Sequence, residues 1–181
     1  MHEVRRQIDR HVREHPGVHF NAIVEELDLG VGQVQYHIRR LLGEGHLVKE
    51  SLHGRTHYYP DGDDPWERGA IAMLRRETAR DVVVLLLEHD EVAPSVAAER
   101  LDVARSTLEW HVSNLVERNV VEKRYDDGGR VFLHLTRPGD VERLLAEVSP
   151  SVPDRLVDRF TRLVDKALEG GSFEDRPNER R

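Results

Sequence analysis

Shifting the chain against itself by 74 residues superposes Val4–Gly54 on Thr78–Gly128 without a gap. Val18, Glu25, Leu27, Asp28, His37, Leu41 and Lys49 recur as Val92, Glu99, Leu101, Asp102, His111, Leu115 and Lys123, and the pair Tyr36-His37 returns as Trp110-His111. A period this long, present only twice, implies a duplicated domain rather than a solenoid, whose units stack in at least three copies of about 20–50 residues. A chain of 181 residues with 38% hydrophobic content has room for two small domains with modest cores.

Periodicity gives each copy the same plan. In the first, Val4, Ile8 and Val12 recur at four-residue spacing and predict an amphipathic helix that His15-Pro16-Gly17 ends. Asn21 is expected to cap a short second helix, with Glu25 in its first turn and Ile23, Val24 and Leu27 facing inward. Leu29-Gly30-Val31-Gly32 reads as a tight turn. A third helix follows over Gly32–Gly43, with Val34, Ile38, Leu41 and Leu42 on its apolar stripe and Gly43 or Gly45 as terminator. His46–Leu52 and Thr56–Tyr59 read as strands of a hairpin around His53-Gly54-Arg55. The second copy predicts helices over Ala79–Glu88, from Ser95, and over Ser106–Arg118, with strands on either side of Asp126-Asp127-Gly128-Gly129. That hairpin is one residue longer, so Arg130 answers to Arg55.

Three helices, the last two joined by a tight turn, then a two-stranded hairpin, make a winged helix-turn-helix. The fold class expected is mainly α with small β-hairpin wings: two tandem winged helix-turn-helix domains plus C-terminal helices. The third-helix segments GQVQYHIRRLLGEGHLVKE and STLEWHVSNLVERNVVEKR resemble the recognition-helix pattern of the ArsR and MarR types of winged-helix regulator. With LRRETARDVVVLLLEH opening the second copy, the arrangement over residues 1–137 is similar to archaeal, haloarchaeal-type transcriptional regulators carrying two such domains. That resemblance implies double-stranded DNA as partner and a homodimer as the working unit, and it says little about the target sequence.

A recognition helix reads the major groove with the side chains left outside its apolar stripe; hydrogen-bonding groups suit base edges and cations suit phosphates. In the first copy those positions are Gln33, Gln35, Tyr36, Arg39 and Arg40, with no acid among them. The hairpin adds His53, Arg55 and His57. The corresponding second-copy positions are Thr107, Glu109, Trp110, Ser113 and Asn114, so two arginines have become Ser113 and Asn114 and a Glu faces phosphate. Lys123, Arg124 and Arg130 remain for backbone contacts through the hairpin. DNA-binding candidates are therefore Gln33, Gln35, Tyr36, His37, Arg39, Arg40, His53, Arg55, Ser106, Thr107, Trp110, Asn114, Lys123, Arg124 and Arg130, the first copy contributing more. His37 and His111 either reach a phosphate or pack inward, and Tyr36 and Trp110 divide in the same way between groove contact and packing.

Charge qualifies this reading. The net charge of −7 opposes binding to a polyanion, but residues 1–60 hold 8 basic and 8 acidic residues with 8 of the 11 His, whereas residues 61–140 hold 11 basic and 17 acidic. The first copy can present a basic face and the second is acidic. Of 27 Arg and Lys only Lys49, Lys123 and Lys166 are Lys, which with 34% charged residues fits a salt-adapted organism. Cys is absent, excluding disulfides, thiol nucleophiles and Cys-based zinc sites. His11, His15 and His19 are spaced as metal ligands, yet Pro16 breaks the helix before His19 and the sequence fixes no acid beside them, so neither metal nor cofactor is expected. No phosphate-binding loop or catalytic triad order is present, so no enzyme is expected. The N-terminal residues have charges too frequent for a signal peptide, and a cytoplasmic protein without a membrane segment is expected.

The domain boundaries that follow are 1–60 for the first winged domain, 61–77 for a linker helix entered at Asp64-Pro65, 78–137 for the second domain, 138–169 for C-terminal helices and 170–181 for a disordered tail. Trp66, Ala70, Met73 and Leu74 are expected to pack the linker on the second copy or on another subunit. Asp140 is expected to cap a helix through Val148. From Asp154 to Leu168 a stripe of Leu156, Val157, Phe160, Leu163, Val164, Ala167 and Leu168 needs a cover, either its own domains or a partner in a dimer. The runner-up function is a winged-helix protein-interaction adaptor without specific DNA binding.

Overall fold

The computed structural model describes residues 3–148 apart from 53 and 63. The expected C-terminal stripe, the tail and His53 lie outside the described residues. Seven elements occur in one order, twice. The first set is α1 (Glu3–Glu14), β1 (Val18–His19), α2 (Phe20–Glu26), α3 (Val31–Gly43), β2 (Leu47–Leu52), β3 (Arg55–Pro60) and α4 (Pro65–Leu74). The second is α5 (Glu77–His89), β4 (Glu91–Val92), α6 (Pro94–Arg100), α7 (Arg105–Glu117), β5 (Val121–Tyr125), β6 (Val131–Leu135) and α8 (Pro138–Glu147). This is a mainly helical winged helix-turn-helix fold with small antiparallel sheets. Among the described residues no helix is long and apolar enough to cross a membrane.

Each hairpin gains a third strand that alternation was too short to reveal. The sheets run β1-β3-β2 and β4-β6-β5, with Val18 opposite Tyr58 and Val92 opposite Leu133. That pairing also corrects the expected cap at Asn21. Strand β1 runs straight into α2, whose N-cap position is His19 with extended backbone and no capping side chain, so Asn21 lies inside the helix. Similarly α8 starts at Pro138, where a fixed φ and a missing N–H suit the first helical position; Asp140 sits in its first turn and accepts from Arg137 Nε at 2.7 Å.

The recurrent Asp28 and Asp102 have a shared backbone duty. Both adopt φ 50° just after a helix, and Gly45 (74°) and Asn119 (54°) do so after α3 and α7. At α3 the N–H of His46 returns to Leu41 O (2.9 Å) and that of Gly45 to Leu42 O (3.3 Å); Val120 to Leu115 and Asn119 to Val116 (both 2.9 Å) repeat this after α7. These paired bonds satisfy carbonyls that a helix end would otherwise leave bare. Gly, Asn and Asp tolerate the left-handed geometry required.

Two cores result. Ile8, Val12, Val18, Ile23, Val34, Ile38, Leu41 and Leu47 fill the first. The second combines Val82, Val83, Leu86, Leu108, Val112, Leu115, Leu133, Val141 and Leu144 with Ala70, Ile71, Ala72, Met73 and Leu74 of α4. The expected linker is thus a core helix of the second repeat, buried nearly all round. Burying each of Ile71, Met73 and Leu74 stabilises by roughly 1.5–3 kcal/mol. Trp66 anchors its start, donating from Nε1 to Asn119 O (2.9 Å) beneath the Arg137 guanidinium, 4.0 Å from the ring centre. Leu52 and Tyr59 of the first repeat also join this second core.

Candidate nucleic-acid interface

Helix α3 sits against α1 and α2 through Val34, Ile38 and Leu41, and the geometry of that stripe leaves Gln33, Gln35, Tyr36, Arg39 and Arg40 exposed. All five expected outward positions of the first repeat therefore face outward. His37 does not: it is buried in the stripe, edge-on to the Tyr36 ring at 5.0 Å. His111 is buried likewise, edge-on to Trp110 at 4.8 Å. The repeated aromatic-His pair thus places a buried imidazole inside and a half-exposed ring outside, so His37 leaves the set of DNA-binding candidates.

The two arginines of α3 differ. Arg40 pairs with Glu44 one turn on (3.3 Å), and Glu44 also receives both contacts of the Arg5 Nη1 group at 3.0 and 3.1 Å. Arg39 makes no ion pair among the described residues. Instead it lines a groove of about 320 Å³ between α3 and the hairpin, with Gln35, Leu42, Lys49 and Tyr58. A second groove of about 460 Å³ adjoins it across Phe20 and Tyr58 and is lined by Asn21, Arg55 and Thr56. Lys49 is a member of this surface that sequence reasoning missed, although the 74-residue shift places it opposite Lys123, which was included. His57, expected on the wing, is buried; its Nδ1–H donates to Gly17 O at 2.9 Å, which fixes the tautomer. Arg55 is half-buried at the mouth of the second groove.

In the second repeat the expected face is partly turned inward. Ser106 and Trp110 are exposed, but Thr107 and Asn114 are each only 6% exposed. The reason is an additional neighbour. Helix α4 packs along α7, Arg76 from the α4–α5 junction lies 5.0 Å over the Trp110 ring, and Asn114 Nδ2 donates to Trp110 O (2.6 Å) instead of reaching outward. The three expected cations are all engaged by carboxylates: Lys123 with Glu109 (2.8 Å), Arg124 with Glu122 (2.7 Å) and Arg130 with Asp126 (2.7 Å). Asp126 also accepts the backbone N–H groups of Arg130 (2.8 Å) and Gly128 (2.9 Å), and these bonds, Arg130's first, hold its carboxyl below the usual carboxylate range. Arg105, which the sequence reading passed over, lines a groove of about 410 Å³ with Ser95, Ser106 and Glu109.

Cation for cation, the first repeat offers Arg39 and Lys49 beside amides, while in the second Lys123, Arg124 and Arg130 are already held by carboxylates and Arg105 stands exposed. Comparisons with known proteins agree with the fold of the first repeat. Residues 2–71 match a family model described as an N-terminal HTH domain. Over 136 residues, 75% of the chain, it is 23% identical to an uncharacterized HTH-type transcriptional regulator of Methanocaldococcus jannaschii. The chain spans about a third (34%) of that relative's length. Among solved structures, disulfide-formed AbfR matches with a TM-score of 0.35 and 14% identity, covering 58% of this chain and 80% of its own. ScpB from Mycobacterium tuberculosis matches with a TM-score of 0.31 and 15% identity, covering 71% and 86%. Likenesses this loose leave the helix-turn-helix match over residues 2–71 as the similarity that bears on the chain.

Proposed function

We propose that the chain is a DNA-binding transcriptional regulator that reads duplex DNA mainly through α3 and the hairpin of the first repeat. The observation that carries this reading is the acid-free outward face of α3, where Gln33, Gln35 and Tyr36 flank Arg39, a cation without an ion-pair partner among the described residues, next to Lys49. Amides beside a guanidinium are the groups that engage adenine and guanine edges and the adjoining phosphates. The printed name of the M. jannaschii relative and the helix-turn-helix match point the same way.

The test is binding to genomic DNA fragments, followed by anisotropy on the protected site. Arg39→Ala should weaken binding by about 1–3 kcal/mol, roughly 5- to 150-fold, if Arg39 reads a base; as a phosphate contact it should also lower the salt slope by about one. Arg40→Ala should cost less, because Glu44 already holds that guanidinium. Wild-type affinity in Arg39→Ala would remove the reading. Glu109→Gln should strengthen binding, since it releases Lys123 and deletes a negative charge from the α7 face; an unchanged or weaker complex counts against any DNA contact by the second repeat.

A second reading attaches to the second repeat alone. Its paired cations, and exposed Trp110, Val116 and Tyr125, fit a protein-facing surface better than a phosphate-facing one. In that reading the chain acts as a homodimer, the first repeats of two copies occupying half-sites about one helical turn apart. A footprint of two half-sites, with mass measured by light scattering, checks it.

A further inference from the structure

We propose a divalent transition-metal site formed by His11, His15 and Glu26 at the joint between α1 and α2. The sequence offered His11, His15 and His19; the fold exchanges the third for an acid that no spacing rule would supply. Strand β1 carries His19 away, where its Nδ1–H donates to Thr56 O (3.1 Å), and α2 brings Glu26 back beside α1. One ligand atom from each of His11, His15 and Glu26 then lies within 4.8 Å of the others.

Two observations point to an ion. First, His11 is only 7% exposed, and its buried Nε2 has no hydrogen-bond partner, although it lies 3.3 Å from Glu26 Oε2. That separation is too poorly aligned for a hydrogen bond but equals the edge of a tetrahedron with bonds of about 2.0–2.1 Å, the lengths zinc makes to imidazole and carboxylate. Second, the His15 ring is exposed and its centre is 4.7 Å from that of His11, so a side-chain rotation suffices to close the set. Two imidazoles and one carboxylate suit Zn²⁺, Co²⁺ or Ni²⁺, with a water completing the shell. The ion would tie the end of α1 to the end of α2, directly before the turn into α3. The site stands independently of the DNA reading above.

The experiment uses the full chain without a polyhistidine tag, stripped by chelator and titrated with Co²⁺ while absorption is followed, then with Zn²⁺ in competition. Expected is saturation at one ion per chain, with His15→Gln and Glu26→Gln each losing at least the roughly 10–100-fold that deletion of even an outer-shell partner costs. His89→Gln, on an exposed His of the second repeat, should bind as wild type. Both test residues are exposed, so loss of binding with an unchanged circular dichroism spectrum is not misfolding. Zn²⁺ should also raise the melting temperature of the wild type and not of His15→Gln, because an ion that binds only the folded state stabilises it. No saturable Co²⁺ spectrum, or equal binding by His15→Gln, would overturn the site.

Discussion

Gly17→Ala should destabilise the protein by about 2–5 kcal/mol, combining roughly 1–2 for a left-handed residue with a Cβ and roughly 1–3 for overpacking. Gly17 has φ 75°, and a Cβ there would lie 2.8 Å from Ile71 Cγ2 and 3.2 Å from Tyr59 Cε1. Both neighbours belong to the second core, so neither can step aside without disturbing α4. Gly17 also holds the register on both of its polar groups: its N–H donates to Tyr58 O (2.7 Å) and its carbonyl accepts from His57. A loss of this size is a large fraction of the 5–15 kcal/mol typical of a folded domain. Urea unfolding monitored by Trp fluorescence and circular dichroism measures it; a change below about 1 kcal/mol would mean that the contact relaxes freely.

The second large effect is expected one turn away in space. Arg75 is 3% exposed, yet its Nε donates to Pro16 O (2.9 Å) and its Nη2 to His15 O (3.1 Å). These carbonyls follow the end of α1, where the helix dipole favours a cation, and the planar fork reaches both at once. Arg75→Met keeps much of the volume and deletes the donors, leaving Pro16 O without its partner and His15 O with only the Val18 N–H (3.2 Å). The expected cost is about 2–4 kcal/mol, between orphaning one acceptor and breaking a buried ion pair. Arg75→Lys should recover only part of it. Equal urea midpoints for wild type and Arg75→Met would show that water replaces the guanidinium.

The architecture was legible because its determinants are local. Four-residue spacing of Val4, Ile8 and Val12 and the hairpin around Gly54 each act within one or two turns of chain, and the 74-residue shift checks them against a second copy; the turn before α3 falls at Leu27–Asp28 rather than Leu29–Gly32, with Val31 and Gly32 already helical. The outward set of α3 followed from its stripe alone. Thr107 and Asn114 could not be placed this way: both are buried, and α7 packs not only on α5 and α6 but also on α4, from outside the repeat's own pattern. His57 escaped for a similar reason: its partner is the Gly17 carbonyl, brought across by the short strand β1. Glu26 meets His11 only after three elements have folded, which no spacing of histidines encodes.

The sharing of α4 between the repeats has a practical bearing on how the molecule is cut. A fragment ending at Pro60 would strip Ile71 and Arg75 from Gly17 and lay bare Leu52 and Tyr59, so it should be aggregation-prone as isolated material. Conversely, a fragment beginning at Glu77 would open a cleft along α5 and α7 where Met73 and Leu74 belong. The two repeats are consecutive in sequence, but the scissors find no clean seam between them.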